Sequence, residues 1–269
     1  MFVAAGCSKA ADTTRGEDSA ALLRDAAAAS VSAGSLKFSF NAAIDGQLQV
    51  HTEFAGKPAG NGSGRVQTGQ RNIPFLAIDD RFYIGYADVA PDKKWVVMSL
   101  QELENLGVSA TVGDQRDPQQ ALALLSSVKE PVQKVGTETL NGVPATRYRC
   151  TIDIKALLAA PGGGFSADGA RRLSGLVGDS AVIDAWRGDD GKIHRISYGV
   201  DLAKSPARPS EFPETGKLAY QYDFSDYGKD LSVETPAPDQ VMTLDEYKAS
   251  PRAEIGEPPP TTTVVPPGG

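Results

Sequence analysis

The 269-residue sequence predicts an α+β fold in which one large, curved antiparallel sheet wraps around a few helices. Three observations lead there. Long stretches alternate apolar and polar residues with period two, as strands with one buried face do. Asp45-Gly46, Asn141-Gly142 and Asp189-Asp190-Gly191 fall between such stretches, and short turns of this kind join antiparallel neighbours. Two segments, Glu17 to Ala33 and Pro118 to Val128, instead repeat their apolar residues at helical spacing, and a sheet face is the economical cover for such a stripe.

In chain order, Glu17 to Ala33 is an Ala-rich helix with Leu22, Leu23, Ala26, Ala27 and Ser30 on one side and Gly34 as its stop. Leu36, Phe38, Phe40, Ala42 and Ile44 then alternate with polar neighbours, and after Asp45-Gly46 so do Leu48, Val50, Thr52 and Phe54. Gly60 to Gly64 reads as a loop whose glycines permit positive φ. Strands follow at Arg65 to Thr68, Ile73 to Ile78, Arg81 to Gly85 and Trp95 to Ser99. Gln101 to Leu106 and Pro118 to Val128 read as helices, the second with Asp117 as N-cap ahead of Pro118. Strands resume at Val132 to Glu138 and Val143 to Ile154, and the hinge Pro161 to Gly164 leads into a helix near Ser166 to Val177. The hairpin Ala181 to Leu202 and the alternating Leu218, Tyr220, Tyr222 and Phe224 complete the sheet. Beyond about Tyr247 the chain is rich in Pro, Thr and Gly and is expected to be disordered.

A net charge of -7 with no run of Lys and Arg removes nucleic acid from the expected partners and gives no polybasic grip on a membrane. No stretch approaches the roughly 18 apolar residues of a spanning helix. The N-terminus carries a different signal. Ala4-Ala5-Gly6-Cys7 is followed by Ser8 and a polar run, and it resembles the lipobox of bacterial lipoproteins, with Ala4 where that motif has Leu. Only six residues precede Cys7, so the sequence is expected to start inside its signal peptide. This divides the chain into a truncated signal peptide at 1–7, a flexible tether at 8–16, a folded domain at 17–247 and a tail at 248–269. Acylated Cys7 would be the lipid anchor and would hold the domain on the extracytoplasmic face of the cell membrane. Cys150 then stands alone, so the domain has no internal disulfide.

Catalytic constellations do not emerge. Only two histidines exist: His51 lies on the polar phase of its strand, and His194 shares the phase of Ile196, Tyr198, Val200 and Leu202. Neither has a His or Cys at zinc-like spacing, and no Gly-x-Ser-x-Gly elbow occurs. Glu102, Glu104, Asp79 and Asp80 read as solvated charge, and Cys150 as a packed core thiol. The expectation is therefore a protein with no catalytic residues, metal or cofactor. The candidates left are the apolar phases: Leu36, Phe38, Phe40, Leu48, Val50, Phe54, Ile84 and Met98, with Leu122 and Leu125 of the second helix. Periodicity leaves two readings of them open, a filled core or the lining of a cavity.

Several segments together carry a family resemblance. Asp117-Pro118 with its Leu-rich helix, Val135-Gly136-Thr137-Glu138, Asn141 to Tyr148, Ile183-Asp184-Ala185-Trp186 and Asp190-Gly191-Lys192-Ile193 resemble the LppX/LprG type of actinobacterial lipoproteins. The LolA/LolB lipoprotein carriers are their wider relatives. The resemblance runs from Glu17 to about Ser232 and rests on turn and core motifs, none of them catalytic. It implies a half-barrel of antiparallel strands with helices on its concave side, enclosing an apolar cavity for the acyl chains of a lipid or glycolipid. The insertion Ala159 to Ser166 and the Pro-Thr tail depart from that pattern. On this reading the protein is a monomer whose ligand is a lipid. The alternative is an interaction or sensing module of the same fold, whose partner is an envelope protein.

Overall fold

A computed structural model describes residues 19–57, 60–85, 93–105, 118–159, 167–210 and 212–250. Cys7, the tether, the Asp117 cap, the hinge Pro161 to Gly164 and the chain beyond Ser250 lie outside the described residues. Helix α1 (Ser19–Ser32) buries Ala20, Leu23, Ala26, Ala27 and Ser30 as one stripe. Gly34, at φ 80°, then turns the chain into the sheet.

The strands form two meanders. The first runs through β1 (Leu36–Ile44), β2 (Gln47–Gly56), β3 (Gly62–Thr68), β4 (Arg71–Ile78), β5 (Arg81–Gly85) and β6 (Trp95–Ser99). The second runs through β7 (Val128–Leu140), β8 (Val143–Asp153), β9 (Ser180–Gly188), β10 (Ile193–Asp201) and β11 (Lys217–Ser225). β11 returns to pair with β1, Phe38 facing Phe224 and Phe40 facing Tyr222, so the two meanders fuse into one sheet. A last strand, β12 (Val241–Thr243), pairs in parallel with β6 and brings the sheet to twelve strands.

Helices cover the inner face. α1 lies over β7, β9 and β10 and packs against α3 (Pro118–Ala123) and the 3-10 turn Leu124–Ser127. α2 (Leu100–Asn105) packs on β6. Ser30 fastens α1 to the sheet: its buried hydroxyl donates to the Ala26 carbonyl at 2.7 Å and accepts from the Ile193 N–H at 2.9 Å.

Four local expectations are corrected. The helix expected over Pro118 to Val128 tightens after Ala123, where the Ser126 and Ser127 hydroxyls donate to the carbonyls of Ala123 and Leu124 three residues back, and β7 begins at Val128 itself. The strand expected through Ile154 stops at Asp153, whose carboxylate accepts from the Ala156 N–H at 2.9 Å and starts α4 (Ile154–Ala159). Gly62 and Gly64 belong to β3 and are not among the positive-φ glycines. A short helix not expected from the sequence, α6 (Leu244–Ala249), is opened by a capping box of Thr243 and Glu246.

The outer face carries an ion-pair cluster. Asp184 on β9 is 9% exposed and accepts from Arg147 at 2.5 Å and from Arg149 at 2.9 and 3.0 Å. Burial alone would raise its pKa, but the hydrogen bonds from Arg149 and Arg147 outweigh that and hold it below the ordinary carboxylate value. A depressed folded pKa adds stability that is fully present above the unfolded value near 4 and disappears as pH falls through the folded one. Asp184→Asn should therefore be destabilised at neutral pH, with the gap to wild type closing below about pH 4. Denaturant titrations at pH 7 and pH 3 check this, and a pH-independent gap would refute it.

Candidate functional site

The ten apolar residues expected to face inward separate into two groups. Leu36, Phe38, Phe40, Val50, Phe54, Ile84, Met98, Leu122 and Leu125 are buried and belong to one contiguous core. Leu48 does not join them: it is 52% exposed. The register slips between Ala42 and Ala43, so that Ala42 faces Val50 while Ala43 faces Leu48, and Gln49 is the extra residue of a β-bulge. One inserted residue reverses the side-chain phase, which puts Leu48 on the outer face beside Ala43.

Accessible surface on the inner face falls elsewhere, on an aromatic belt across β1, β11 and β10. Phe40 stacks with Tyr220 at 5.7 Å between centroids and tilts against Tyr222 at 4.9 Å. Tyr198 meets Tyr220 at 5.0 Å and Tyr222 at 6.3 Å, and its hydroxyl lies 3.4 Å from that of Tyr222. Phe40 and Phe224 are fully buried, whereas Tyr198, Tyr220 and Tyr222 keep accessible surface. Burial nonetheless pushes the phenol pKa of both Tyr198 and Tyr222 upward. Both rings pack against the core and keep accessible surface. Their alternation in β10 and β11 is visible in the sequence, but period two gives a phase and says nothing about which inward side chains remain uncovered.

The polar candidates have structural partners. His51 lies beside Asn41 at 2.7 Å and Glu53 at 3.4 Å on the outer face. His194 is 3% exposed, with Nε2 at 3.0 Å from Asp190 and its ring edge-on to Tyr227 at 5.7 Å. Cys150 is buried, and burial pushes its thiol up to about 12, far from a nucleophile's range. Glu102 accepts from both the N–H and the hydroxyl of Ser99 at 2.7 Å, which makes it a helix cap for α2. Among the described residues no group of three or more His, Cys, Asp or Glu is placed to hold a metal ion, and no helix is long and apolar enough to cross a membrane.

Two open troughs of about 620 and 670 Å³ lie on the outer face. The first is floored by the small residues Ala43, Gly199 and Ala219 beside the exposed Val182. The second runs between Lys37, Glu53, Arg65 and Arg195. Tyr198 and Tyr220 of the aromatic belt also line the first trough, and Phe38, Phe54 and Phe75 the second.

No family model matches the chain. An uncharacterized 31.2 kDa protein of Streptomyces griseus, from the rplA-rplJ intergenic region, is 28% identical over 192 residues, which are 66% of this chain. The chain spans 58% of the length of that relative. Among solved structures, LprF from Mycobacterium bovis aligns with a TM-score of 0.50 at 14% identity, over 82% of this chain and 97% of LprF. The Mycobacterium tuberculosis lipoprotein LppX aligns with a TM-score of 0.45 at 18% identity, over 81% of this chain and all of the LppX chain (100%). The large antiparallel sheet, its helices on one face and the alignment with LprF agree in one assignment: this chain has the fold of LprF, a curved α+β sheet.

Proposed function

We propose that this protein is a cell-envelope lipoprotein that binds the acyl chains of a lipid or glycolipid in an apolar hollow between the inner face of its sheet and the helices, for transport or presentation. It is a binding protein and performs no covalent chemistry. Acylated Cys7 holds it, as a monomer, on the extracytoplasmic face of the cell membrane. A diacylglyceryl group is the expected anchor, because one acyl chain of about 0.8 kcal/mol per methylene binds only marginally.

One observation carries the reading. Tyr198 and Tyr222 pack against the core of the sheet's apolar face and yet retain accessible surface. The proposed hollow opens at these two rings, beside Phe40, Tyr220 and the neighbouring core. Hydrocarbon entering such a space gains contact and hydrophobic free energy of about 25 cal/mol per Å² of apolar surface covered. The alternative, an interaction or sensing module with no cargo, is favoured by the close burial of the nine other inward residues.

Two measurements test the proposal. The full chain, exported in a bacterial host behind a complete leader, should release copurified lipid on organic extraction and show the matching mass adduct by native mass spectrometry. Cys7→Ser should move the protein from the membrane to the soluble fraction without changing its thermal unfolding. Absence of lipid refutes the carrier reading, and unchanged membrane retention refutes the tether.

A further inference from the structure

Within the aromatic belt, Phe38, Phe40 and Phe224 are phenylalanines, whereas positions 198, 220 and 222 carry hydroxyls. A phenylalanine would pack as well there and avoid the desolvation of a phenol, about 1 to 3 kcal/mol when its bonding is incomplete. Bonding is incomplete at Tyr198 and Tyr222. Their hydroxyls are 3.4 Å apart, long against the 2.7–2.8 Å of a good O–H···O bond. Two phenols also bring two protons, and a mutual bond uses one of them. The second has no acceptor among the described residues. Two further hydroxyls belong to this face, the Tyr220 phenol and the Thr52 hydroxyl beside Phe40, the latter without a partner but fully covered. Tyr198 and Tyr222, unlike Thr52, keep accessible surface.

We infer that the paired hydroxyls of Tyr198 and Tyr222 donate a hydrogen bond to an ester carbonyl of the bound lipid, so that the cargo is recognised as an acyl ester and not by its hydrocarbon alone. The inference rests on the lipid-binding reading above and adds its specificity. A carbonyl oxygen is an acceptor without a proton of its own, which complements a site left with one donor to spend. The upward displacement of both phenols by burial keeps them protonated, and hence donors, across the physiological range. Geometry makes the two partly interchangeable: with either hydroxyl removed, the other is freed from the mutual bond and can still donate.

The test compares 1,2-dipalmitoylglycerol with its ether analogue 1,2-dihexadecylglycerol, which has the same chains and headgroup but no carbonyl. Binding of both to the delipidated full chain is measured for wild type, Tyr198→Phe, Tyr222→Phe and the double variant. Wild type should prefer the ester by about 3- to 10-fold, the range of one hydrogen bond. The double variant should bind the two equally, and each single variant should keep part of the preference. An ester preference that survives in the double variant, or equal binding of both probes by wild type, overturns the inference and leaves the lipid-binding reading standing. Failure of wild type to bind either probe removes that reading and the inference with it.

Discussion

Phe40→Ala should destabilise the domain by about 3 to 5 kcal/mol, which lowers the thermal midpoint by roughly 6 to 20 °C for a chain of this size. Phe40 is fully buried and sits on β1, the strand at which the two meanders meet. Its neighbours across the ladder are Thr52 of the first meander and Tyr222 of the second. Truncation would remove the ring from its contacts with Tyr220 and Tyr222 and leave a void that a sheet paired on both sides closes poorly. Phe40→Leu, which keeps much of the volume, should cost less than half as much. Circular dichroism melts of both variants check the pair. A loss below about 1 kcal/mol for the alanine variant would mean that the ring is not packed as described.

A comparable loss, about 3 kcal/mol, is expected for Gly64→Ala, a change that adds one methyl group. Gly64 lies on β3 between Phe54 of β2 and Phe75 of β4 in one cross-strand row, and the two rings stack at 6.4 Å over it. A Cβ at this position would stand 2.2 Å from the Glu53 carbonyl oxygen and 2.5 Å from the tip of the Phe75 ring. The backbone oxygen cannot move aside without breaking the β2–β3 ladder. Gly136 on β7 supplies the control, because a Cβ there meets nothing within 4 Å. Gly136→Ala should therefore change stability by less than about 0.5 kcal/mol. Equal denaturant midpoints for the two variants would contradict the close approach at Gly64.

That glycine also marks a limit of reading the sequence. Five residues with three glycines, Gly60 to Gly64, look like a loop, whereas Gly64 is needed because two aromatic rings from neighbouring strands close over it, a requirement set by residues ten positions before it and eleven after. The pairing of β1 with β11 is similarly silent, since it joins residues 174 to 188 positions apart and no turn announces it. Legible features were the local ones. Asp45-Gly46 and Asn141-Gly142 take the left-handed conformations that their hairpins require, and the strand phases follow from alternation wherever the ladder is regular. A bulge breaks that rule, which is why Leu48 was expected inside and lies outside. The Thr243 to Glu246 capping box was readable as Thr-x-x-Glu but stood against a Pro-rich background. The candidate site was half legible: its belt positions follow from phase, while the accessibility of Tyr198 and Tyr222 depends on how far the helices reach across the sheet.

The central claim is that the inner face of the sheet borders a space for hydrocarbon. Crystals of the full chain loaded with a diacyl lipid brominated along its tails would locate that hydrocarbon by anomalous scattering. The account predicts bromine peaks under the helices, within about 4 Å of the Tyr198 and Tyr222 rings. Bromine confined to the outer-face troughs beside Val182 or Lys37, or a continuous wall of side chains with none inside, would contradict it.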